Sequence, residues 1–222
     1  KQTNYDPVKD FVPLSVYLKS PFILIVHPSL PVRSARELVA YVKARPGQLA
    51  FSSTGPGGMP RLAMETIAQE FGLTMTHVPY KNSPQSIVDV AAGHVQLAFS
   101  EAAASQQLIR DGRLRALAVS SLARLVTLPQ VPSVAEALNR PGYEAVSWHA
   151  LAAPSATPRV LMNRLNNEMT RIIKLPDVQE RIANLGLIPF EPRSIDDNQR
   201  YLAAETERWG AVIRKLGLAG SQ

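Results

Sequence analysis

The chain has 222 residues, of which 45% are hydrophobic and 19% are charged, and it carries a formal net charge of +6 at pH 7. This is the composition of an ordinary globular protein, and the absence of cysteine excludes disulfides, thiolate metal sites and cysteine nucleophiles. The longest apolar run, Phe22–Val26, is far shorter than the roughly 20 residues that a membrane-spanning helix needs, and Lys1–Asp6 do not have the pattern of an export signal.

Nucleic acid is not an expected partner. The excess of basic residues is divided equally between residues 26–145 and the rest of the chain, at +3 each. Nucleic-acid binders usually concentrate basic residues in an arm or stripe that is interleaved with aromatic residues, and only 6% of this chain is aromatic. A diffuse positive charge instead mildly favours small anionic ligands through long-range attraction.

The first predicted elements are a helix, a strand and a second helix. A capping box formed by Ser34 and Glu37 predicts a helix over 34–44. Residues 48–52 are short and apolar, as in a buried parallel strand. After a glycine-rich turn, an apolar stripe at helical spacing predicts an amphipathic helix that stops at Gly72.

Further strand-turn-helix units follow in the middle of the chain. Strands are predicted over 74–78, 95–99 and 114–119. After the first of these, Ser83 is the predicted helix cap, with Pro84 at the first helical position.

The last third of the chain is predicted to begin with a proline-punctuated segment. Ser133 and Glu136 form a second capping box, and 143–153 is predicted to be an extended crossover between two lobes. The remaining predictions are helices over 158–174 and ending at Leu185-Gly186, a strand over 187–190, and a long helix that begins at Ser194.

Four of the predicted strands finish in polar residues. In an open parallel sheet with alternating helices, ligands bind outside the carboxyl ends of the strands. We therefore expect these polar ends to converge on one edge of the sheet. They are Ser52–Thr54, Tyr80–Ser83, Ser100–Glu101 and Ser120–Ser121.

The turn after the first strand is the main candidate for a binding site. It lies between a strand and a helix N-terminus, where unpaired backbone N–H groups and the helix dipole attract anions. Gly55, Gly57 and Gly58 let a ligand approach the backbone closely. The turn lacks the GK[ST] ending of a nucleotide P-loop, and Pro60 stands where a dinucleotide fingerprint has its third glycine. A plain tight turn is the alternative interpretation.

Other candidate groups are less specific. Lys81 and Glu101, expected at neighbouring strand ends, are either a ligand-reading pair or a solvated surface ion pair. The four histidines have no metal-ligand spacing and no serine lies in a GxSxG motif. A metal site and a serine hydrolase are therefore not predicted.

Several stretches together resemble a known family of proteins. They are YDPVKDFVPLS, HPSLPVRSARELVAYVKARPGQLAFSSTGPGG, THVPYKNSPQSIVDVAAGHVQLAF, GRLRALAVSS, LPQVPSVAEA and PGYEAVSWHALAAPSATP. The family is that of the extracytoplasmic solute receptors of the tripartite tricarboxylate transporters, also called Bug or TctC-like proteins. The resemblance extends over essentially the whole chain, with the motifs in the same order.

This resemblance implies an α/β type II periplasmic-binding-protein fold. Such a fold has two lobes, a double crossover between them, and a small carboxylated solute held in the cleft. Residues 26–145 would form lobe two, and residues 1–25 and 146–222 the remaining part of an incomplete lobe one.

The resemblance also implies the ligand site, since the equivalent turn in the family helps to hold a ligand carboxylate. The implied ligand-binding residues are Ser53, Thr54, Gly55, Gly57, Gly58 and Met59, with Lys81, Ser83 and Glu101 as additional candidates.

The chain departs from the family pattern at three places. No counterpart of the family's proline-glycine-glycine loop precedes Lys1. The turn continues with Gly58–Arg61 where the family usually has hydroxyl residues and a histidine, and Ser100-Glu101 replace the usual aspartate-asparagine pair. A glutamate in the cleft would repel a second carboxylate or recognise an amino group, so the identity of the ligand is left open.

The resulting hypothesis is a periplasmic receptor, not an enzyme, that captures a small organic acid and delivers it to membrane transporter subunits. No cofactor or metal is expected. A ligand-sensing accessory protein for a signalling partner is one alternative, and an enzyme that acts on organic acids is another. An oligomer that covers apolar surface of the incomplete lobe is also left open.

Overall fold

The computed structural model describes residues 4–55 and 57–219. The strands are β1 (Phe11–Val26), β2 (Ala50–Thr54), β3 (Thr76–Tyr80), β4 (Leu97–Glu101), β5 (Arg115–Val119), β6 (Val146–Pro154) and β7 (Ile188–Pro189). The helices are α1 (Ala35–Lys43), α2 (Met59–Phe71), α3 (Ser83–Ala91), α4 (Ala102–Arg110), α5 (Val134–Ala137), α6 (Arg159–Ile173), α7 (Pro176–Asn184) and α8 (Ile195–Lys215). In this part of the chain, no helix has the length and apolarity that crossing a bilayer requires.

The long strand β1 joins two ladders of the sheet. Its first part pairs antiparallel with β6, and Leu18 and Lys19 also pair with β7. Its last five residues, Phe22–Val26, lie between β4 and β5 and run antiparallel to both. The strand order is β3-β2-β4-β1-β5, with β6 and β7 on the earlier part of β1. The expected parallel arrangement therefore holds for β2 to β5, whereas β1 runs in the opposite direction.

The end of β1 is buried on both faces. Because side chains alternate along a strand, Leu24 packs into one hydrophobic cluster with residues of α1 and α2. Ile23 and Ile25 pack into a second cluster with residues of α3 and α4. A continuous apolar run is typical of a strand that helices cover on both sides, which explains the sequence of Phe22–Val26.

The first three strands after β1 end two residues later than predicted. The sequence pattern predicts strands over 48–52, 74–78 and 95–99, whereas β2, β3 and β4 end at Thr54, Tyr80 and Glu101. Polar residues continue the ladder because their hydroxyl groups have partners inside the protein. Ser53, one residue beyond the predicted end of β2, is buried, and its Oγ lies 2.7 Å from His77 Nε2.

The helix caps follow the sequence, with one correction. The capping box of Ser133 and Glu136 is complete. Ser34 Oγ accepts from Glu37 N at 3.1 Å, as predicted. The cap of α3 is Asn82 and not Ser83, because Asn82 has extended backbone angles and its Oδ1 accepts from Gln85 N at 3.0 Å.

A buried asparagine holds α8 against β1. Asn198 is fully buried, its Oδ1 accepts from Val16 N at 3.3 Å, and its Nδ2 donates to Leu14 O at 3.0 Å. Since α8 also contributes Trp209 to the cluster that contains α2, this helix packs against both ladders.

Candidate functional site

The carboxyl ends of four strands lie at one edge of the sheet. β2 is parallel to β3 and β4, and β4 and β5 are both antiparallel to β1. The predicted convergence of the polar strand ends is therefore confirmed.

Glycines allow α2 to begin directly above the end of β2. Ser53 and Thr54 are the last residues of β2, and Met59 is the first residue of α2; Pro56, within this turn, lies outside the described residues. Gly55 has a φ of +78°, a left-handed conformation that favours glycine. At Gly58, a Cβ atom would lie 2.7 Å from Thr54 O. The close approach of the turn to the strand therefore requires glycine at position 58.

The start of α2 presents unpaired donors. The backbone N–H groups of Gly57, Gly58 and Met59 donate to no acceptor within residues 4–55 and 57–219, whereas Arg61 N donates to Gly58 O at 3.0 Å. No side chain caps α2, and its first turn contains no acidic residue. N–H groups at a helix N-terminus and the positive end of the helix dipole favour an anion at this position.

Ser53 supports the turn from inside. Its side chain is 2% exposed, and its Oγ donates to Gly55 O at 3.3 Å and lies 2.7 Å from His77 Nε2. The tautomer of His77 decides whether its Nε2 donates to Ser53 Oγ or accepts from it. Burial and, to a smaller extent, the charge of Arg61 lower the pKa of His77 to about 4, so the imidazole is neutral at pH 7. Sequence reasoning did not include His77 in the site.

The three additional candidates do not form a cluster. Lys81 and Glu101 are not at neighbouring strand ends, because β2 lies between β3 and β4. Two strand spacings separate these ends by roughly 10 Å, and both side chains are exposed. Ser83 is the first residue of α3 and is half-buried. The expectation of a Lys81–Glu101 pair on adjacent strands is therefore wrong, since the order of strands in the sheet differs from their order in the sequence.

A cavity of about 370 Å³ lies against the start of α2. Its walls come from the α2 region, from the beginning of β6 and from α8. The lining residues are Gly57, Met59, Leu62, Val146, Ser147, Trp148, Glu205, Thr206, Trp209 and Ile213. Two of the predicted site residues, Gly57 and Met59, thus line a space that is closed by residues from the last third of the chain.

The residues from β6 and α8 were not predicted to be part of the site. Trp148 was assigned only to an extended crossover and Trp209 only to the apolar face of a helix. No local pattern distinguishes a tryptophan that lines a cavity from one that packs in a core, so the sequence carried no signal for this wall.

Two further cavities, of about 360 and 350 Å³, lie near the amino end of β5 around Arg33 and Arg115. The guanidinium of Arg115 donates there to Leu30 O at 3.0 Å and to Val32 O at 2.8 Å. These bonds fix the loop before α1. Because this region lies away from the carboxyl ends of the strands, the α2 cavity is the better candidate for a ligand site.

Nothing in the described ranges points to a bound metal. No group of three or more histidine, aspartate or glutamate side chains within residues 4–55 and 57–219 has a geometry that would hold a metal ion.

Comparison with protein families and curated proteins gives a consistent result. A family model described as "Tripartite tricarboxylate transporter family receptor" matches residues 1–218. The chain is 33% identical to Protein BugT of Bordetella pertussis, over 96% of this chain and 65% of the relative. It is 34% identical to the UPF0065 protein in the tcbD-tcbE intergenic region of Pseudomonas sp. (strain P51), over 98% of this chain and 65% of the relative. The chain thus spans about 65% of the length of these curated relatives.

Solved structures have the same fold. An R. palustris protein solved with adipate is 34% identical, with a TM-score of 0.88 over 98% of this chain and 72% of that one. The periplasmic binding protein BugD is 26% identical, with a TM-score of 0.82 over 96% of this chain and 72% of that one. The predicted α/β periplasmic-binding-protein fold is therefore confirmed.

Proposed function

Because the chain belongs to the family of tripartite tricarboxylate transporter receptors, we propose that it serves as a periplasmic receptor that binds a small carboxylate and delivers it to a membrane transporter. The observation that carries this proposal is the start of α2, where three backbone N–H groups that donate to no acceptor within the described residues adjoin a cavity of about 370 Å³. The adipate in the 34% identical R. palustris structure supports a carboxylate as the ligand.

We divide the chain into two lobes that close on the solute. Residues 26–145 form lobe two, and residues 1–25 and 146–222 belong to lobe one. This division is supported by β1, whose two parts belong to different ladders, and by the antiparallel pairing of β1 with β6. A ligand that contacts both lobes favours the closed state by population shift.

The solute carboxylate accepts hydrogen bonds from the turn. In this proposal Gly57, Gly58 and Met59 supply backbone N–H groups, with Thr54 and Gly55 shaping the turn and Ser53 supporting it from below. Hydrogen bonds to a charged group contribute about 1.5–3 kcal/mol each. Lys81, Ser83 and Glu101 do not line the cavity and are proposed to contact solute only from the rim of the cleft.

The receptor leaves the solute chemically unchanged. A hydrolase would need an accessible nucleophile, and the Ser53 hydroxyl is buried and donates to Gly55 O. The His77 ring packs 5.0 Å from the Phe51 ring, and no carboxylate in the described part of the chain pairs with its second nitrogen. These contacts support a structural role for the Ser53–His77 pair and not a catalytic one.

A matched pair of variants tests the N–H donors directly. Met59→Pro removes one N–H at a helix position that tolerates proline, and the extended conformation of Gly58 (φ −70°, ψ 145°) is compatible with a following proline. Met59→Ala removes the same side chain and keeps the N–H. We expect the dissociation constant for a six-carbon acid, measured by calorimetry, to be about 10- to 100-fold larger for Met59→Pro than for Met59→Ala. Equal affinities in the two variants contradict the proposed site.

The transporter partner is tested separately. The full-length protein, cross-linked to membranes in the presence of solute, is expected to capture transporter subunits. Capture of a sensor kinase without any transporter subunit would instead support the signalling alternative.

A further inference from the structure

The wall of the cavity that α8 forms presents hydrogen-bond acceptors. The Glu205 side chain is 13% exposed, and its carboxylate accepts from Trp209 Nε1 at 3.0 Å and from an Arg208 guanidinium nitrogen at 3.2 Å. A carboxylate offers about four acceptor positions, so lone pairs remain. The Thr206 hydroxyl donates its proton to Leu202 O at 2.8 Å, which leaves only its acceptor lone pairs for a ligand.

Glu205 is the charged residue among the described residues that line the cavity. Arg208 is paired with Glu205 but is not a lining residue of the cavity. Its guanidinium also donates to Glu144 O and lies 4.8 Å from the Trp209 ring, so it is held outside the cavity. The indoles of Trp148 and Trp209 line the same space, and the faces of aromatic rings attract cations.

These observations distinguish between classes of acid. A second carboxylate carries a negative charge and has no proton to donate, so it is repelled by Glu205 and leaves the acceptors of this wall unpaired. An ammonium group has the opposite charge and three donors. Between the polar ends, the lining side chains of Leu62, Val146 and Ile213 suit an aliphatic chain.

We infer that Glu205 selects the solute, and that the solute is an amino acid whose ammonium group is separated from its carboxylate by an apolar chain, not a dicarboxylate. This inference rests on the proposed function, since it takes the carboxylate to be bound at the start of α2. The cavity volume of about 370 Å³ lies within the usual range for small-molecule sites.

Three ligands that differ at only one end test this inference. Calorimetric titrations of the full-length protein with 6-aminohexanoate, hexanoate and adipate are compared, with tryptophan fluorescence as a second readout because two indoles line the cavity. We expect 6-aminohexanoate to bind at least about tenfold more tightly than adipate, which corresponds to 1.4 kcal/mol. Glu205→Gln keeps the shape of the side chain, and we expect it to reduce this ratio to about one.

The control variant is Glu207→Gln. Glu207 is an exposed residue of α8 and does not line the cavity, so its replacement removes the same charge from the helix and is expected to preserve the ratio. The inference is overturned if adipate binds the wild-type protein as tightly as 6-aminohexanoate does, and this comparison does not depend on whether the Glu205 variant folds. An unchanged ratio in a folded Glu205→Gln variant overturns it as well. If none of the three acids binds, the inference is overturned, whereas the proposed function is contradicted only when a panel of shorter and longer mono- and dicarboxylates also fails to bind.

Discussion

Gly58→Ala tests the idea that the start of α2 must lie against the end of β2. The backbone angles at Gly58 suit any residue, so the change acts only through contact. The new Cβ would lie 2.7 Å from Thr54 O, and the backbone must move by several tenths of an ångström. Overpacking of this kind costs about 1–3 kcal/mol of folding free energy. For a chain of this size we expect the melting temperature to fall by roughly 2–12 °C.

The movement also displaces the N–H groups of Gly57 and Met59. We therefore expect the affinity for the best-binding six-carbon acid to fall at least about tenfold. Gly47→Ala is the matched control, because Gly47 has a φ of +73° with nothing within 4 Å of the added Cβ. Its left-handed conformation costs about 1–2 kcal/mol with alanine, but Gly47 lies before β2, away from the turn. Both variants are measured by thermal unfolding and calorimetry. Wild-type affinity in a folded Gly58→Ala protein refutes the reasoning.

Three further predictions concern stability. The pKa of His77 is lowered from 6.5 to about 4, so the unfolded state binds more protons than the folded state between these two pH values. The contribution of the neutral His77 ring to the free energy of unfolding is therefore complete above pH 6.5 and is lost as the pH falls towards 4. This contribution is below about 3 kcal/mol, since the ring is only partly buried. In urea titrations over this pH range, the free energy of unfolding should depend more steeply on pH in the wild type than in His77→Gln. Asn198→Ala leaves the buried Val16 N–H without its acceptor and should lower the free energy of unfolding by about 1–3 kcal/mol in urea titrations; a loss below 0.5 kcal/mol, on the order of an ordinary surface change, contradicts this role. Ser133→Ala removes the side-chain acceptor of a complete capping box and should cost about 1 kcal/mol, whereas a melting temperature equal to that of the wild type contradicts it.

The helices were predicted well because their signals are local. The caps at Ser34, Ser133 and Ser194 and the stop at Gly72 are found where the sequence places them. An N-cap is a contact between residues two or three apart, so spacing is sufficient to identify it. The sequence analysis made no prediction for α4, which follows β4 directly and has no side-chain cap.

Strands β2 to β5 were located from the sequence, with three of their ends misplaced, whereas β1 (Phe11–Val26) was not predicted as a strand. The predicted strand over 48–52 ends at Ser52, yet β2 continues to Thr54, and Ser52 and Ser53 are both buried. Their hydroxyls bind Ser86 and His77, which come from later parts of the chain. A partner that is distant in sequence changes a polar residue from a strand end into a buried strand residue, and no local pattern reports it.

The two sides of the candidate site differ in the same way: one side is built from residues that are close in sequence, and the other from residues that are far apart. The backbone N–H donors of the turn belong to one short stretch of sequence. Their presence can be predicted from the glycines, which lie between the end of a strand and the start of a helix. The wall formed by Trp148, Glu205 and Trp209 depends on how β6 and α8 pack against α2.

The sequence by itself determined the family, the α/β class, the positions of most of the helices and the glycine-rich turn between β2 and α2. All of these follow from motifs or from residues that are close together along the chain. Only the tertiary structure decided that β1 runs against its neighbours, that Lys81 and Glu101 stand on either side of β2, and that Glu205 faces the cavity beside that turn. The physical reason is that strand order and helix packing are fixed by contacts between residues that are far apart in the chain.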